Sequence, residues 1–332
     1  MTPDTIVRIA SMSKPITSIA AMQQVERGTL DLHSPIGEVL PALHHAPVLD
    51  GFDEQGEPVL RAVKRPITLR NLLTHTSGLA YPTWNERLHR YRDIEPDARP
   101  LDGPDARLSS PLVFDPDDRW EYGTNTDWCG FAIEKVTQSS LGDYMRKNIF
   151  APLAMHDTAF NPLDDSRVST VHQRQANGTL GDISAASFPT STFHAGGGGL
   201  FSTATDYGKF LGALLGMSKT ALVSEETLSL MYENHIGKLI AGTLPTFEPE
   251  RSNNVDLFPG TKPKWSLFGL INPQAVDGGR AAASVCWGGL YNSYFWIDRS
   301  HQVAGAIFTQ TLPFFDARII NLYEQFEKLI YK

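Results

Sequence analysis

The chain contains little cysteine. Only Cys129 and Cys286 occur among its 332 residues, and they do not form a Cys-x-x-Cys pair. Two thiols cannot build the disulfide framework on which small secreted domains depend, and they suit a reducing compartment. The first residues also lack the charged and then apolar pattern of a signal peptide. We therefore expect a cytoplasmic protein.

Long hydrophobic runs and metal-binding motifs are also missing. Gly, Asp or Lys interrupts the most apolar stretches well before the roughly 20 residues that a membrane helix needs. Although the chain has 10 histidines, none stands in a His-Glu-x-x-His or similar ligand spacing. We therefore expect no membrane span and no dedicated metal site.

Basic residues are in the minority. The chain has 29 Lys and Arg against 37 Asp and Glu, which gives a net charge of −8. An acidic surface repels phosphate backbones, so nucleic acid is not an expected partner. Hydrophobic residues make up 41% and charged residues 20%, values typical of a soluble globular protein rather than a disordered one. The length allows about two domains or one large domain.

Hydrophobic periodicity predicts helices in the middle of the chain and strands late in it. Apolar residues recur at helical spacing over 13–27, with Ser13 as the expected N-cap and Gly28 just beyond the end. Long loops with short helices are expected over 81–119, and loops over about 160–195. Further expected elements are helices over 69–74, 127–137, 141–149, 206–216, 224–232 and 316–330, a hairpin within 45–65, and strands over 265–271, 283–286, 293–297 and 303–308.

A serine and a lysine one helical turn apart form the first candidate for chemistry. Ser11-x-x-Lys14 stands where the first long helix is expected to begin, so Lys14 would lie beside Ser11. A serine hydroxyl is a poor nucleophile until a base takes its proton, and a partly desolvated lysine can act as base or relay. N–H groups at the helix N-terminus could stabilise an oxyanion. Taken alone, the motif also fits an N-cap serine and a solvated lysine.

Two further segments supply chemistry that such a serine would use. Tyr122 precedes an expected helix, and a tyrosinate beside a lysine cation could serve as a general base. The segment Trp287-Gly288-Gly289-Leu290 leads into a strand, where its glycines allow a substrate or another backbone to come close. Taken alone, the first fits a packed tyrosine and the second an ordinary glycine turn.

In this order and separation, the three motifs resemble those of the serine β-lactamase-like superfamily, and most closely those of its family VIII carboxylesterases. The superfamily also includes class C β-lactamases and DD-peptidases. A conventional Ser-His-Asp hydrolase is disfavoured because the chain has no Gly-x-Ser-x-Gly elbow. The resemblance covers most of the chain and includes Ile9-Ala10-Ser11-Met12-Ser13-Lys14, Asn71-Leu72-Leu73-Thr74-His75-Thr76-Ser77-Gly78-Leu79, Gly198-Gly199-Leu200-Phe201-Ser202-Thr203-Ala204-Thr205-Asp206 and Phe308-Thr309-Gln310.

The resemblance implies an α+β fold of the β-lactamase/transpeptidase type, in which helices flank an antiparallel sheet. Residues 1–65 and 262–332 would form an α/β lobe, and residues 66–261 an inserted, mainly helical lobe, with the site between them. Members of the superfamily carry a helix and two strands before the Ser-x-x-Lys motif, whereas only ten residues precede Ser11 here. We therefore expect the N-terminal strands to be absent, and an exposed sheet edge could pair with a second copy to form a homo-oligomer.

The resemblance also implies a role for each motif. The histidine in the 71–79 segment, His75, belongs to a structural part of the family's fold. No cofactor is implied. The implied site consists of Ser11 as nucleophile, Lys14 and Tyr122 as the proton-transfer pair, the backbone N–H groups of Ser11 and Leu290 as the oxyanion hole, and Trp287, Gly288 and Gly289 as substrate-binding residues.

The third motif separates the branches of the superfamily. Members that process β-lactams usually carry Lys-Thr-Gly there, and the lysine binds the β-lactam carboxylate. Trp287-Gly288-Gly289 removes that cation and adds an apolar wall, which predicts a carboxylesterase acting on small neutral short-acyl esters. A β-lactamase or DD-peptidase, an acyltransferase or amidase, and an inactive binding module remain alternatives. The family's asparagine two residues after the tyrosine is Thr124 here, with Asn125 one residue further on.

Overall fold

A computed structural model describes residues 1–98, 101, 108–183 and 192–332. Antiparallel strands and helices are mixed along these residues, which confirms the expected α+β class. The loops predicted over 81–119 and 160–195 lie partly outside the described residues. The described α-helices are α1 (Ser13–Glu26), α2 (Leu69–Thr74), α3 (Glu86–Ile94), α4 (Asn125–Thr137), α5 (Leu141–Met145), α6 (Ala204–Leu214), α7 (Glu225–Tyr232) and α8 (Ala317–Ile330).

Helix α1 lies in the core. Nearly all its side chains are buried, and it packs against α4 and α5. The helix ends where predicted, because Gly28 adopts a φ of +70° that favours glycine. The prediction of Ser13 as N-cap is wrong. A 3₁₀ turn at Ala10–Met12 precedes the helix, and Ser13 Oγ instead accepts the Leu200 N–H at 3.2 Å.

The main sheet has five antiparallel strands, in the order β13 (Val303–Ile307), β12 (Ser293–Asp298), β11 (Val285–Gly289), β10 (Leu270–Ile271) and β9 (Lys264–Trp265). Along β12, Tyr294 and Trp296 contact Tyr323 of α8, whereas Phe295 contacts Tyr207 of α6 on the opposite face. This two-residue alternation explains why the whole of β12 is buried. The described strands are β1 (Val7–Arg8), β2 (Pro47–Phe52), β3 (Pro58–Ala62), β4 (His172–Arg174), β5 (Leu180–Asp182), β6 (Phe201–Ser202), β7 (Thr243–Leu244), β8 (Val255–Asp256), β9 (Lys264–Trp265), β10 (Leu270–Ile271), β11 (Val285–Gly289), β12 (Ser293–Asp298), β13 (Val303–Ile307) and β14 (Thr311–Leu312).

The predicted single strand over 265–271 is wrong. The segment folds back on itself as β9 and β10, which pair with each other. Ser266 causes the reversal, since its Oγ accepts the N–H groups of Phe268 and Gly269 at 3.1 and 3.0 Å. A serine side chain that bonds local backbone donors in this way competes with a continuous strand.

Strand β13 forms one edge of the sheet and is half-buried along its length. The hairpin predicted within 45–65 is confirmed by the pairing of β2 with β3. Across the described ranges, none of the helices combines the length and apolar character needed to cross a bilayer. The division into two lobes and the homo-oligomer stay predictions.

Candidate active site

Ser11 and Lys14 lie side by side at the start of α1. Lys14 Nζ donates to Ser11 Oγ at 3.2 Å. The residue before the serine, Ala10, has a φ of +44°, a conformation that alanine rarely adopts. Lys14 is only 1% exposed. A buried ammonium needs compensation, and its shortest hydrogen bond, of 2.7 Å, goes to the carbonyl of Gly197.

The glycine segment 196–199 holds this lysine, a role that the sequence did not reveal. Gly197 accepts the lysine through its carbonyl, and its own N–H donates to Asp127 Oδ1 at 2.9 Å. A Cβ at Gly197 would lie 2.6 Å from Asp127 Oδ2, so a side chain would push the loop away. Four consecutive glycines were the available signal, since they permit such a close approach.

Tyr122 lies beneath the lysine and is 2% exposed. Lys14 Nζ stands 4.6 Å from the centroid of its ring, which places the cation over the aromatic face. The tyrosine hydroxyl accepts the indole N–H of Trp287 at 3.0 Å. The structure therefore brings Ser11, Lys14 and Tyr122 together, as the sequence predicts, and adds Trp287 to the same cluster.

A second tyrosine, Tyr81, reaches the same lysine. Its hydroxyl lies 3.5 Å from Lys14 Nζ and 3.5 Å from Asp127 Oδ2. Unlike Tyr122, Tyr81 lines the cleft beside Ser11. The sequence offered no motif that distinguishes Tyr81 from any other aromatic residue in a loop.

His75 supports Tyr122 from behind. Its ring lies 4.8 Å from the Tyr122 ring and 5.1 Å from Trp265, and its Nδ1 accepts the Gly123 N–H at 3.4 Å. Burial, together with the nearby charge of Lys14, holds the pKa of His75 well below its usual range. The His75 ring is therefore neutral and enclosed, as expected of a structural residue of the 71–79 segment.

The end of β11 meets the turn that carries the serine. A Cβ at Gly289 would lie 2.3 Å from the Ile9 carbonyl oxygen, so only glycine allows this approach. The next residue, Leu290, lines the same cleft as Ser11. The role of the backbone N–H groups of Ser11 and Leu290 as an oxyanion hole stays a prediction.

Trp287, Gly288 and Gly289 are buried in β11 rather than exposed in the cleft. Trp287 is 2% exposed and stands against Trp265 and Tyr122, with ring separations of 4.7 and 5.0 Å. Among the described residues, these three are not part of the cleft lining. Contact of these residues with a substrate stays a prediction.

The cleft above Ser11 has a volume of about 360 Å³. Tyr81, Trp84 and Tyr291 line it, whereas Trp128 is fully buried in the core. Its opening also carries two basic side chains, Arg92 and Arg251. Aromatic and basic side chains therefore share the lining of the cleft with the acidic Asp127.

Asn125 is a structural residue. It is fully buried, Ser77 donates to its Oδ1, and its Nδ2 donates to the Leu79 carbonyl at 3.0 Å. It ties the loop after α2 to the start of α4. Thr124 lines the cleft at the position two residues after Tyr122.

The cysteines do not compete with Ser11 as nucleophiles. Both are buried. Burial raises the pKa of Cys286 to about 11 and that of Cys129 further still, so neither carries thiolate at neutral pH. Across the described ranges, His, Cys, Asp and Glu side chains form no group of three or more placed to hold a metal ion.

The fold and the serine–lysine–tyrosine cluster define a β-lactamase-type protein. A family model described as Beta-lactamase matches residues 1–328, and the chain belongs to this family. Monacolin J acid methylbutanoyltransferase of Aspergillus terreus is 33% identical over 347 residues, which cover 99% of this chain and 82% of that protein. Lovastatin esterase of Penicillium rubens is 31% identical over 99% of this chain and 86% of its own length.

Solved structures with a similar fold include one at 30% identity. Unliganded simvastatin synthase (LovD) from Aspergillus terreus superposes with a TM-score of 0.85 and 30% identity, covering 100% of this chain and 84% of that one. EstCE1, described as a hydrolase with promiscuous acyltransferase activity, has a TM-score of 0.75 at 20% identity, which shows the fold alone. The two curated relatives are a methylbutanoyltransferase and an esterase, and this chain is an enzyme of the type that acts on acyl esters.

Proposed function

We propose that this chain is an acyltransferase that moves a short acyl group from an ester donor to an alcohol through an acyl-enzyme at Ser11. The observation that carries the proposal is the 3.2 Å contact between Lys14 Nζ and Ser11 Oγ at the floor of an open cleft. The sequence alone favoured a plain carboxylesterase. The curated relatives, which include a methylbutanoyltransferase and an esterase, support transfer as the main reaction and hydrolysis as the accompanying one.

The reaction has two balanced halves. In the first, Ser11 Oγ attacks the ester carbonyl carbon while its proton passes to the Lys14–Tyr122 pair. The bond to the leaving alcohol then breaks, and that alcohol takes the proton. In the second half, an acceptor alcohol or water gives its proton to the same pair and attacks the acyl carbon, and Ser11 Oγ leaves with the proton.

Two backbone donors would stabilise the negative oxygen that forms in each half. The turn at Ala10–Met12 and the end of β11 bring Ser11 and Leu290 to one wall of the cleft. Their N–H groups are fixed by the backbone, so they need little reorganisation as charge develops. Replacing Gly289 by alanine would move β11 away from the turn that carries Ser11, because the added Cβ would overlap the Ile9 carbonyl.

Transfer and hydrolysis are separated by product analysis. The protein is given p-nitrophenyl butyrate with and without a primary alcohol, and butyrate and the new butyrate ester are quantified. We expect the new ester to dominate when the alcohol is present. Butyrate as the sole product at every alcohol concentration would restore the esterase assignment. Ser11→Ala should form neither product, and Ser13→Ala is its matched control.

β-Lactam turnover is expected to be weak. The place of the lysine that usually binds a β-lactam carboxylate holds no cation, and a buried charge without such a partner is costly. The residue at the place of the usual lysine is Trp287, which is buried and bonded to Tyr122. Turnover of nitrocefin well above that of p-nitrophenyl acetate would favour the β-lactamase alternative.

An inactive binding module is the remaining alternative. The positions of Ser11, Lys14 and Tyr122 give no sign of a lost site, since all three are present and in contact. A fluorophosphonate probe reacts only with an activated serine. Labelling that Ser11→Ala abolishes supports the enzyme, and the absence of labelling in the unaltered protein would support the binding module.

A further inference from the structure

A second cavity lies between helix α8 and the main sheet, and we call it the rear cavity. It has a volume of about 540 Å³, within the roughly 300–1,000 Å³ of ligand pockets in proteins. Residues of α8, parts of the loops 256–261 and 273–280, and Cys286 of β11 line it. Among the described residues, none lines both this cavity and the catalytic cleft, so the two are separate.

The alternation of side chains along β11 shows which face of the sheet the rear cavity occupies. Cys286 pairs with Trp296 of β12, and Trp296 contacts Tyr323 of α8, so these residues share one face. Trp287, the next residue of β11, lies on the other face, where its indole bonds Tyr122. A molecule in the rear cavity would therefore lie across the sheet from the proton-transfer residues.

A buried ion pair, Arg280 with Glu327, forms part of the lining of the rear cavity. The two side chains are 3% and 2% exposed. The backbone N–H and Nε of Arg280 each donate to Glu327 Oε1 at 2.8 Å. Its Nη2 donates to Glu327 Oε2 and, at 2.6 Å, to the hydroxyl of Tyr323. One cation faces one carboxylate, so this buried part of the lining carries no net charge.

One nitrogen of the Arg280 guanidinium has no acceptor. Its Nη1 is buried and has no hydrogen-bond partner among the described residues. The guanidinium carbon lies 5.5 Å from the ring centroid of Trp296 and 5.3 Å from that of Tyr323, which places aromatic rings rather than oxygen atoms on these sides. A buried donor without an acceptor is costly, and the oxygen of a bound molecule would remove that cost.

The rest of the lining favours an uncharged and mainly apolar molecule. Its larger apolar residues include Leu257, Phe258, Val276, Phe315 and Ile320. Its other charged residues are Lys328, Asp256, Asp277 and Glu324. Three carboxylates against one ammonium repel an anion, and Arg280 repels a cation from the buried end. A neutral molecule with a carbonyl oxygen satisfies both conditions.

We propose that the rear cavity is a second ligand site, which binds a neutral, mainly apolar molecule whose carbonyl oxygen accepts a hydrogen bond from Arg280 Nη1. Apolar side chains such as Val276 and Ile320 would contact the body of this molecule. The site goes beyond the proposed acyl transfer and does not depend on it, because it shares no described lining residue with the catalytic cleft.

Cavity-filling variants locate the binding. The probe is 2-acetylnaphthalene, a neutral ketone, and its binding is measured by equilibrium dialysis. Ile320→Trp fills the rear cavity from α8 and should remove one bound ketone per chain. Leu322→Trp is the matched control on the same helix, since Leu322 is 51% exposed and is not among the lining residues, and it should leave binding unchanged. Val276→Trp fills the cavity from the 273–280 loop and replaces Ile320→Trp if that variant does not fold.

Two further probes test the chemistry of the site. In 2-isopropenylnaphthalene a CH₂ group replaces the ketone oxygen, and 2-naphthoate is an anion of similar size. For the binding that Ile320→Trp removes, we expect the ketone to be held about tenfold more tightly than the alkene, the effect of a hydrogen bond from a charged donor. The naphthoate should bind more weakly than the ketone. Arg280→Lys keeps a positive charge beside Glu327 and should remove the preference for the ketone.

Three results would overturn the second site. One is ketone binding that persists undiminished when the rear cavity is filled, and another is equal binding of ketone and alkene to the unaltered protein. The third is tighter binding of the naphthoate than of the ketone. Dialysis needs no turnover, so these results leave the proposed acyl transfer as it stands. Absence of ester turnover and of Ser11 labelling would overturn the proposed function alone.

Discussion

The indole N–H of Trp287 donates to the hydroxyl oxygen of Tyr122 across 3.0 Å, inside the protein rather than in the cleft. The bond fixes the position of this hydroxyl in the cluster that Tyr122 forms with Lys14. Trp287 of the Trp-Gly-Gly motif therefore contacts the hydroxyl of the same tyrosine whose ring Lys14 approaches. This relationship gives Trp287 a positioning role that is independent of any substrate contact.

Trp287→Phe keeps an aromatic ring in β11 but removes the indole N–H. We expect kcat for p-nitrophenyl acetate to fall about tenfold, since a hydrogen bond to a group that gains charge is worth roughly 1.5–3 kcal/mol. The melting temperature should fall by a few degrees, because the smaller ring leaves a cavity beside Trp265. Normal kcat in a stable Trp287→Phe protein would show that this bond does not assist proton transfer.

Lys14 and Tyr122 are expected to act as one unit. Lys14→Ala and Tyr122→Phe should each lower kcat by about 10²-fold or more, the usual contribution of general acid–base catalysis. The double variant should be little worse than the more damaged single variant, because groups that act together are non-additive. Losses that multiply would instead show two independent contributions.

The two tyrosines near Lys14 are distinguished by matched substitutions. Tyr81→Phe removes a hydroxyl 3.5 Å from Lys14 Nζ, a long contact, and we expect a loss of about tenfold or less in kcat/KM. Tyr122→Phe should cost far more. If Tyr81→Phe proves the more damaging change, proton transfer belongs to Tyr81, and Tyr122 is a packing residue.

His75 gives the fold a defined acid sensitivity. Its folded-state pKa is lowered by burial, so between that value and the ordinary pKa of about 6.5 the unfolded chain binds a proton that the folded chain does not. Stability should therefore be complete above pH 6.5 and fall as the pH drops below it, by up to about 1.4 kcal/mol per pH unit from this group.

Urea unfolding at pH 7.5, 6.0 and 5.0 measures this slope. His75→Asn should make the slope shallower, and asparagine suits the left-handed backbone there, where φ is 59°. His33→Asn, at an exposed position, is the control and should leave the slope as it is. Equal slopes in the two variants would remove His75 as the cause.

The sequence predicted those parts of the fold that depend on local patterns. The end of α1 at Gly28 follows from residue type and periodicity, and the structure has it. The break between β9 and β10 depends on the side chain of Ser266 bonding its own turn, which an apolar pattern does not contain. The expected strand at 283–286 runs on to Gly289 because its glycines pair with β12.

The sequence predicted the reactive residues of the candidate site but not the residues that hold them in place. Ser11 and Lys14 are one helical turn apart, so their contact follows from spacing alone. Gly197 and Asp127 are distant from Lys14 in sequence. Gly197 contacts Lys14, and Asp127 contacts Gly197, only after α1, α4 and the glycine segment have packed together. The buried place of Trp287 likewise depends on the pairing of β11 with its neighbours.

Intact-protein mass spectrometry during turnover tests the central claim most directly. The protein is mixed with p-nitrophenyl butyrate, quenched in acid within the first turnovers and digested to locate any added mass. We expect one butyryl group on Ser11 of the unaltered protein and none on the Ser11→Ala protein. The kcat of the Ser11→Ala protein should be lower by at least about 10³-fold. A butyryl group on another residue, or ester turnover that persists in Ser11→Ala at the unaltered rate, would contradict an acyl-enzyme at Ser11.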